Sequence, residues 1–299
     1  MGSARSVEPP GLADTYAAVR AGVEALGIGD AAAMAELSRL AALVPEWFRQ
    51  HREMLHTFPS PSGLMRCRAQ QWDDAKKLQP DQVTPPGWKV AAAMGIISEP
   101  YWLAVLAAGG FDVSLPNESF KCGDLMIAHP DAILNGKFTI ELKRMSGWGF
   151  KNLIERPGGV MLNQPDHFAQ CQLEMHAAGA EWGLYLTHPS DHGMLQSTMR
   201  QKAKYGRRYV LQEVYVEWLR RDDQVIESLL ERAEMIAQDI TRDEPPPREY
   251  SGREWTPQGK QLWPCAWCLW LSTCNKDNEQ RVMQELKQRG KDGSITFIS

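Results

Sequence analysis

The run Pro130-Asp131-Ala132-Ile133-Leu134-Asn135-Gly136-Lys137-Phe138-Thr139-Ile140-Glu141-Leu142-Lys143 decides how the rest of this 299-residue chain is read. Asn-Gly between two apolar runs is the strongest short signal for a β-hairpin. A two-residue turn places Leu134 opposite Lys137 and Asp131 opposite Ile140, about one residue from Glu141 across the ladder. Strand side chains alternate, so Glu141 and Lys143 share one face while Ile140 and Leu142 take the other. Two carboxylates and an ammonium thus converge at one end of a hairpin.

That grouping has a chemical use. Two carboxylates hold Mg²⁺ or Mn²⁺ while leaving water positions open. Such an ion polarises a phosphoryl oxygen and acidifies water. A neighbouring lysine orients that water or stabilises developing negative charge. Glu-x-Lys alone is a common surface tripeptide; Asp131 at this spacing, with the Glu on an apolar strand, favours a site over a solvated hairpin.

Composition bounds the alternatives. The chain is long enough to bury a full core. Its net charge of -4 supplies no global basic field, so any nucleic-acid surface must be local. The densest basic stretch is Lys202, Lys204, Tyr205, Arg207 and Arg208. Basic residues with an interleaved aromatic suit phosphates and a stacked base, and equally a solvated loop. No uninterrupted apolar run of membrane-spanning length and no signal peptide is read, so the expected place is the cytoplasm and no membrane partner is expected.

Six unevenly spaced cysteines do not resemble a secreted disulfide framework. Cys265, Cys268 and Cys274 form Cys-x2-Cys-x5-Cys, a strong metal-binding pattern, with Cys67 as candidate fourth ligand. Cys122 and Cys171 fall in core elements and read as ordinary buried thiols.

Pro130-Asp131 and Glu141-Leu142-Lys143 together resemble the two-part signature of the PD-(D/E)XK nuclease superfamily. Their spacing is similar to that in lambda-type phage exonucleases and RecB-like nucleases. The resemblance implies a restriction-endonuclease-like α/β core, with a central mixed sheet flanked by helices. It implies Asp131 and Glu141 as metal ligands, with Lys143 beside them. Gly95-x-x-x-Glu99-Pro100 looks like the motif that adds a further metal carboxylate, Glu99; read locally, Ser98 caps a helix starting there and Glu99 favours its dipole. The histidine that some relatives carry just before this position has no counterpart here. Asp124 is the runner-up carboxylate to Asp131. The segment Asp166 to His176 resembles the family's glutamine helix, in which Gln170 would contact the lysine, water or phosphate. His167 and His176 stand where relatives often carry tyrosine.

The cysteine pattern resembles that of iron–sulfur RecB-like nucleases, among them CRISPR-associated adaptation nucleases and AddB-type recombination subunits. It implies a [4Fe-4S] cluster on Cys67, Cys265, Cys268 and Cys274, with Zn²⁺ as the alternative at the same thiolates.

The expected organisation is a helical N-terminal extension over residues 1–58, a nuclease core with its iron–sulfur module over 59–275, and a tail over 276–299. The expected activity is Mg²⁺- or Mn²⁺-dependent hydrolysis of DNA at ends or in single strands, in a bacterial or phage-infected cytosol. Lys204, Arg207 and Arg208 are the expected DNA contacts. A recombination or adaptation protein is a possible partner. Two other classes stay open: a non-catalytic DNA-end binder and a redox-sensing iron–sulfur protein. Intact Glu99, Asp131, Glu141 and Lys143 weigh against the first, and the surrounding motifs against the second.

Overall fold

The computed structural model describes residues 8–54, 59–80, 86–116, 119–190, 214–247, 249 and 268–270. These fall into two compact units, drawn from Met1–Met65 with Val90–Met235 and from Arg66–Lys89 with Ile236–Ser299.

In the first unit, strands β1 (Val113–Ser114), β4 (Ala132–Leu134), β5 (Phe138–Met145), β6 (Trp182–Pro189) and β7 (Tyr215–Arg220) form one sheet in the order β1-β4-β5-β6-β7. Only the β5–β6 pair is parallel. Parallel neighbours need a crossover. Helices α6 (Gly147–Glu155), α7 (Gly159–Asn163) and α8 (Pro165–Ala178) supply it. Strands β2 (Phe120–Cys122) and β3 (Met126–Ala128) form a separate hairpin. This is the mixed-sheet α/β class expected from the sequence.

Central strand β5 is covered on both faces. Phe138, Ile140 and Leu142 join a core with Leu134, Leu184, Leu186 and Val216. Helices α1 (Leu12–Gly27), α2 (Ala31–Ala41) and α5 (Pro86–Ala108) contribute Val19, Leu40 and the buried run Trp102 to Leu106 to that core. Helix α1 is tied in further: the Val216 N–H donates to Tyr16 Oη at 3.2 Å, and the Trp218 indole donates to Thr15 Oγ1 at 2.9 Å. A Cβ on Gly22 would stand 1.9 Å from the Val105 carbonyl oxygen, so only glycine permits this approach of α1 to α5. On the opposite face, Met145, Phe150, Leu153, Val160, Cys171, Met175 and Tyr185 form a second core.

The hairpin departs from its expected register. Asn135 and Gly136 do turn the chain, with φ of 52° and 67°. Leu134, however, pairs with Phe138 rather than Lys137. The extra residue sets Ala132 against Ile140 and Leu134 against Phe138, so apolar side chains meet on the core face. The two-residue turn would have put Leu134 against exposed Lys137, and a one-residue slip of that kind is costly where a face is buried. The turn is also clamped from outside: Asn135 N–H donates to the Asp112 carbonyl at 2.7 Å, and Asp112 N–H donates to Asn135 Oδ1 at 2.9 Å.

One local reading is corrected, and two neighbouring segments take their own form. Ser98 does not cap a helix; it lies within α5, where its hydroxyl donates to the Gly95 carbonyl at 2.7 Å. Pro100 sits inside this helix, which loses one backbone bond there. Burial of Trp102 to Leu106 outweighs that loss. After β5, Ser146 Oγ accepts from Gly149 N–H at 3.1 Å and caps α6, which buries Phe150 and Leu153. Gly123, with φ 62°, turns the chain between Cys122 and Met126 into the β2–β3 hairpin. Helix α5 is the one described helix apolar and long enough to cross a membrane by composition; part of it is the buried Trp102–Leu106 segment.

The chain also carries helices α3 (Val44–Met54), α4 (Arg68–Ala75) and α9 (Asp223–Thr241). Within the second unit, the Arg68 guanidinium of α4 pairs with buried Asp239 of α9, Nε to Oδ2 at 2.6 Å. The Trp72 indole donates to the Arg242 carbonyl at 3.2 Å.

Candidate active site

The observed register tightens the carboxylate pair. One step beyond Ala132–Ile140, Asp131 comes abreast of Glu141 instead of falling opposite Ile140. Its backbone N–H donates to the Ile140 carbonyl at 3.0 Å, and its Oδ2 accepts from the Leu142 N–H at 2.6 Å. That second bond aims the Asp131 carboxylate along β5. Glu141 is buried, at 3% exposure, and forms an ion pair with the Lys143 ammonium. The two side chains lie on one face because they are two residues apart on a strand.

Helix α8 completes the group. Lys143 Nζ donates to Gln170 Oε1 at 3.1 Å, and Gln170 Nε2 donates to Glu174 Oε1 at 2.8 Å. The second oxygen of Glu174, Oε2, is buried without a hydrogen-bond partner among the described residues. The structure thus brings Gln170 to Lys143. Sequence reading did not single out Glu174. It stands one helical turn after Gln170, but a lone Glu in a helix gives no signal of its own. Its burial, at 1% exposure, is the signal, and only packing reveals it.

Charge is concentrated here. Burial pushes Asp131 well above the ordinary carboxylate range, and the charges of Glu141 and Glu99 push it further. Glu174 is raised for the same reasons, burial first and then Glu141. Burial also lifts Glu99 of α5 to about 8, with Lys143 pulling it down and Glu141 pushing it up. Glu99 therefore feels the same two side chains as Asp131, which joins the α5 carboxylate to the hairpin electrostatically. Burial works against the Lys143 charge, but Glu141 and Asp131 outweigh it, so the ammonium persists well above its usual range.

His167, near the start of α8, bonds through Nδ1 to the hydroxyl of buried Tyr185 at 2.8 Å. Burial and then Lys143 hold its imidazole down to about 4, so it is neutral around pH 7. His176 is exposed in the last turn of α8, and Asp124 is exposed in the β2–β3 turn. Neither is among the charges acting on Asp131 or Lys143.

The donor set suits a hard divalent cation. Asp131, Glu141 and Glu99 are oxygen donors, and Glu141 Oε2 is buried with no hydrogen-bond donor serving it. Among the described residues, no three His, Cys, Asp or Glu side chains are already gathered at metal-holding distance. Lys143 currently occupies the charge-compensating place beside Glu141.

Of the cysteine pattern, Cys67 and Cys268 are described; both are half-buried, belong to the second unit and lie outside any disulfide. Nearby in sequence, Trp270 is buried. Cys265 and Cys274 lie outside the described residues, as do Lys204, Arg207 and Arg208. Cys122 and Cys171 are buried thiols, as expected, and burial pushes Cys122 up to about 11.

No protein-family model matches the chain, and no curated protein does. Among solved structures it is similar to an alkaline exonuclease, LHK-Exo, from Laribacter hongkongensis: 15% identity, TM-score 0.44, covering 66% of this chain and 92% of that one. LHK-Exo in complex with dAMP gives 14% identity and TM-score 0.44, covering 63% and 89%. SSO0001 gives 16% identity and TM-score 0.42, covering 76% and 91%. Such scores are too low to assign chemistry, which the side chains of this chain must carry.

Proposed function

We propose that the chain is a Mg²⁺- or Mn²⁺-dependent deoxyribonuclease acting on DNA ends or single strands. One observation carries the reading: Asp131 and Glu141 stand abreast on β4–β5 with Lys143 on the same face, and α8 brings Gln170 to that lysine. Asp131, Glu141 and Glu99 would hold the cation, which when bound supplies Lewis-acid polarisation of the scissile phosphate. In the metal-free site the charges of Glu141 and Asp131 hold the proton on Lys143, and as an ammonium it acts as a donor. Its Nζ orients the attacking water and stabilises the negative charge that builds on the phosphate. Gln170 steadies the ammonium by accepting one of its three protons. Tyr185 fixes the ring of neutral His167 at the edge of the site. Lys204, Arg207 and Arg208 are the proposed phosphate contacts along the DNA.

The test is end-labelled single- and double-stranded DNA incubated with purified protein, with and without Mn²⁺. The expected result is metal-dependent release of label that Lys143→Ala lacks. No cleavage of either DNA by the wild type, or equal cleavage by Lys143→Ala, removes the reading.

The same reading includes a [4Fe-4S] cluster on Cys67, Cys265, Cys268 and Cys274, with Zn²⁺ as its alternative. The spacing Cys-x2-Cys-x5-Cys and the placing of Cys67 and Cys268 in one unit support it. Iron and acid-labile sulfide in anaerobically purified protein are expected. Stoichiometric zinc without either would leave a zinc clasp.

A further inference from the structure

We propose that Glu174 is a positioning residue, which sets the Gln170 amide so that its carbonyl, and not its NH₂, faces Lys143. The proposal rests on the nuclease reading for what Lys143 does, but not for the geometry.

Four side chains stand together: Lys143 donates to Gln170, Gln170 donates to Glu174, Lys143 pairs with Glu141, and the Glu141 charge acts on Glu174. Lys143 has only protons to offer, so it needs the oxygen end of the Gln170 amide. An amide end is chosen by its two neighbours together. Glu174 Oε1 takes the NH₂ end at 2.8 Å, which leaves Oε1 of Gln170 turned to Lys143 at 3.1 Å. Without an acceptor at position 174, the NH₂ group would lose its partner, and the rotated amide would set donor against donor at Lys143.

The placement of Glu174 supports a specific use. On α8 it is flanked by Leu173 and Met175, both fully buried, on a helix whose neighbouring core is apolar. A buried acid on such a helix is expensive unless its oxygens are used. Here Oε1 meets Gln170, while Oε2 is buried without a hydrogen-bond partner among the described residues. The one oxygen that is used holds the lysine's support on α8 in place. Glu174 touches Gln170, and acts on the reaction through it.

Three substitutions separate this role from others. Glu174→Gln still offers an oxygen to Gln170, so it keeps the acceptor without the charge. Glu174→Leu keeps the volume and removes the acceptor. Glu174→Asp keeps the charge but draws the acceptor back by one methylene, and it is the gentler variant should Glu174→Leu not fold. Expected is a fall in kcat of about 30- to 100-fold for Glu174→Leu and Glu174→Asp, the scale at which misplaced catalytic groups act. KM should change by less than about threefold, and Glu174→Gln should recover most of the loss. Combining Glu174→Leu with Gln170→Ala should cost no more than Gln170→Ala alone, since both break one chain. Wild-type kcat in folded Glu174→Leu or in Glu174→Asp overturns the proposal. So does a Glu174→Gln as impaired as Glu174→Asp, or full additivity with Gln170→Ala.

Crystal structures of wild type, Glu174→Gln and Glu174→Asp read the positioning without any cleavage. Lys143 should stay within hydrogen-bond distance of Gln170 Oε1 in the first two and move out of reach in the third. A Lys143–Gln170 hydrogen bond unchanged in Glu174→Asp overturns the proposal even if the wild type proves not to cut DNA. A wild type that does not cut, with the Lys143–Gln170 hydrogen bond broken only in Glu174→Asp, removes the nuclease reading and leaves the positioning standing.

Discussion

The two faces of β5 are built from one stretch of chain and solve opposite problems. Toward α1 and α5 it presents Phe138, Ile140 and Leu142, which bury apolar surface and need no partner in particular. Toward α8 it presents Glu141 and Lys143, which are expensive to bury and are tolerated only because each finds named partners. The apolar face accepts many shapes of similar volume. The polar face accepts few, since its neighbours must carry matching donors and acceptors at fixed places. Stability resides mainly on the first face, and the proposed chemistry on the second.

The comparison breaks most visibly at the polar face. Glu141→Ala or Lys143→Ala should lower single-turnover cleavage with Mn²⁺ by at least about 10³-fold, the scale of losing a principal charge-stabilising group, with a native circular dichroism spectrum. Near-wild-type rates in either folded variant would place the chemistry elsewhere. The apolar face should answer in stability instead. Ile140→Ala, at a fully buried site, should cost about 2–5 kcal/mol in urea unfolding. Its kcat per folded molecule should stay close to wild type. A large loss of kcat with unchanged stability would erase the distinction between the faces.

Smaller effects sharpen it. Replacing Lys204, Arg207 and Arg208 together by alanine should weaken double-stranded DNA binding and reduce the slope of log affinity against log salt by about 2.7, at 0.9 per phosphate contact. An unchanged slope would mean that these side chains touch no phosphate. The smallest expected signal is the pH dependence of the metal-free protein. Burial, opposed by Lys143 and aided by Glu141, raises Glu99 to about 8 in the fold, while the unfolded chain loses that proton near the ordinary carboxylate value. The folded state therefore holds more protons between these limits, and its stability falls as pH rises through that window. A melting temperature that climbs from about pH 5 to pH 8 would contradict the sign. Glu99→Gln should flatten the trend.

The hairpin and the shared face of Glu141 and Lys143 were legible because they follow from local rules: Asn-Gly turns and strand alternation. Gln170 and its helix were legible through resemblance, and the structure brings that residue to Lys143. The register was not legible. Turn chemistry alone favours a two-residue loop, whereas burial of Leu134 against Phe138 and the clamp from Asp112 decide for one residue more. The same competition carried α5 straight through Ser98 and Pro100, because a stop signal worth one hydrogen bond is outweighed by a buried helix half. Glu174 shows the limit most plainly. By itself the chain determined which residues bear carboxylates and that Glu141 and Lys143 share one face of β5, since composition and alternation are properties of neighbours in sequence. Tertiary packing alone decided that a glutamate from α8 backs the glutamine beside Lys143, because that chain of hydrogen bonds joins residues from two separate elements, and only folding brings them within reach.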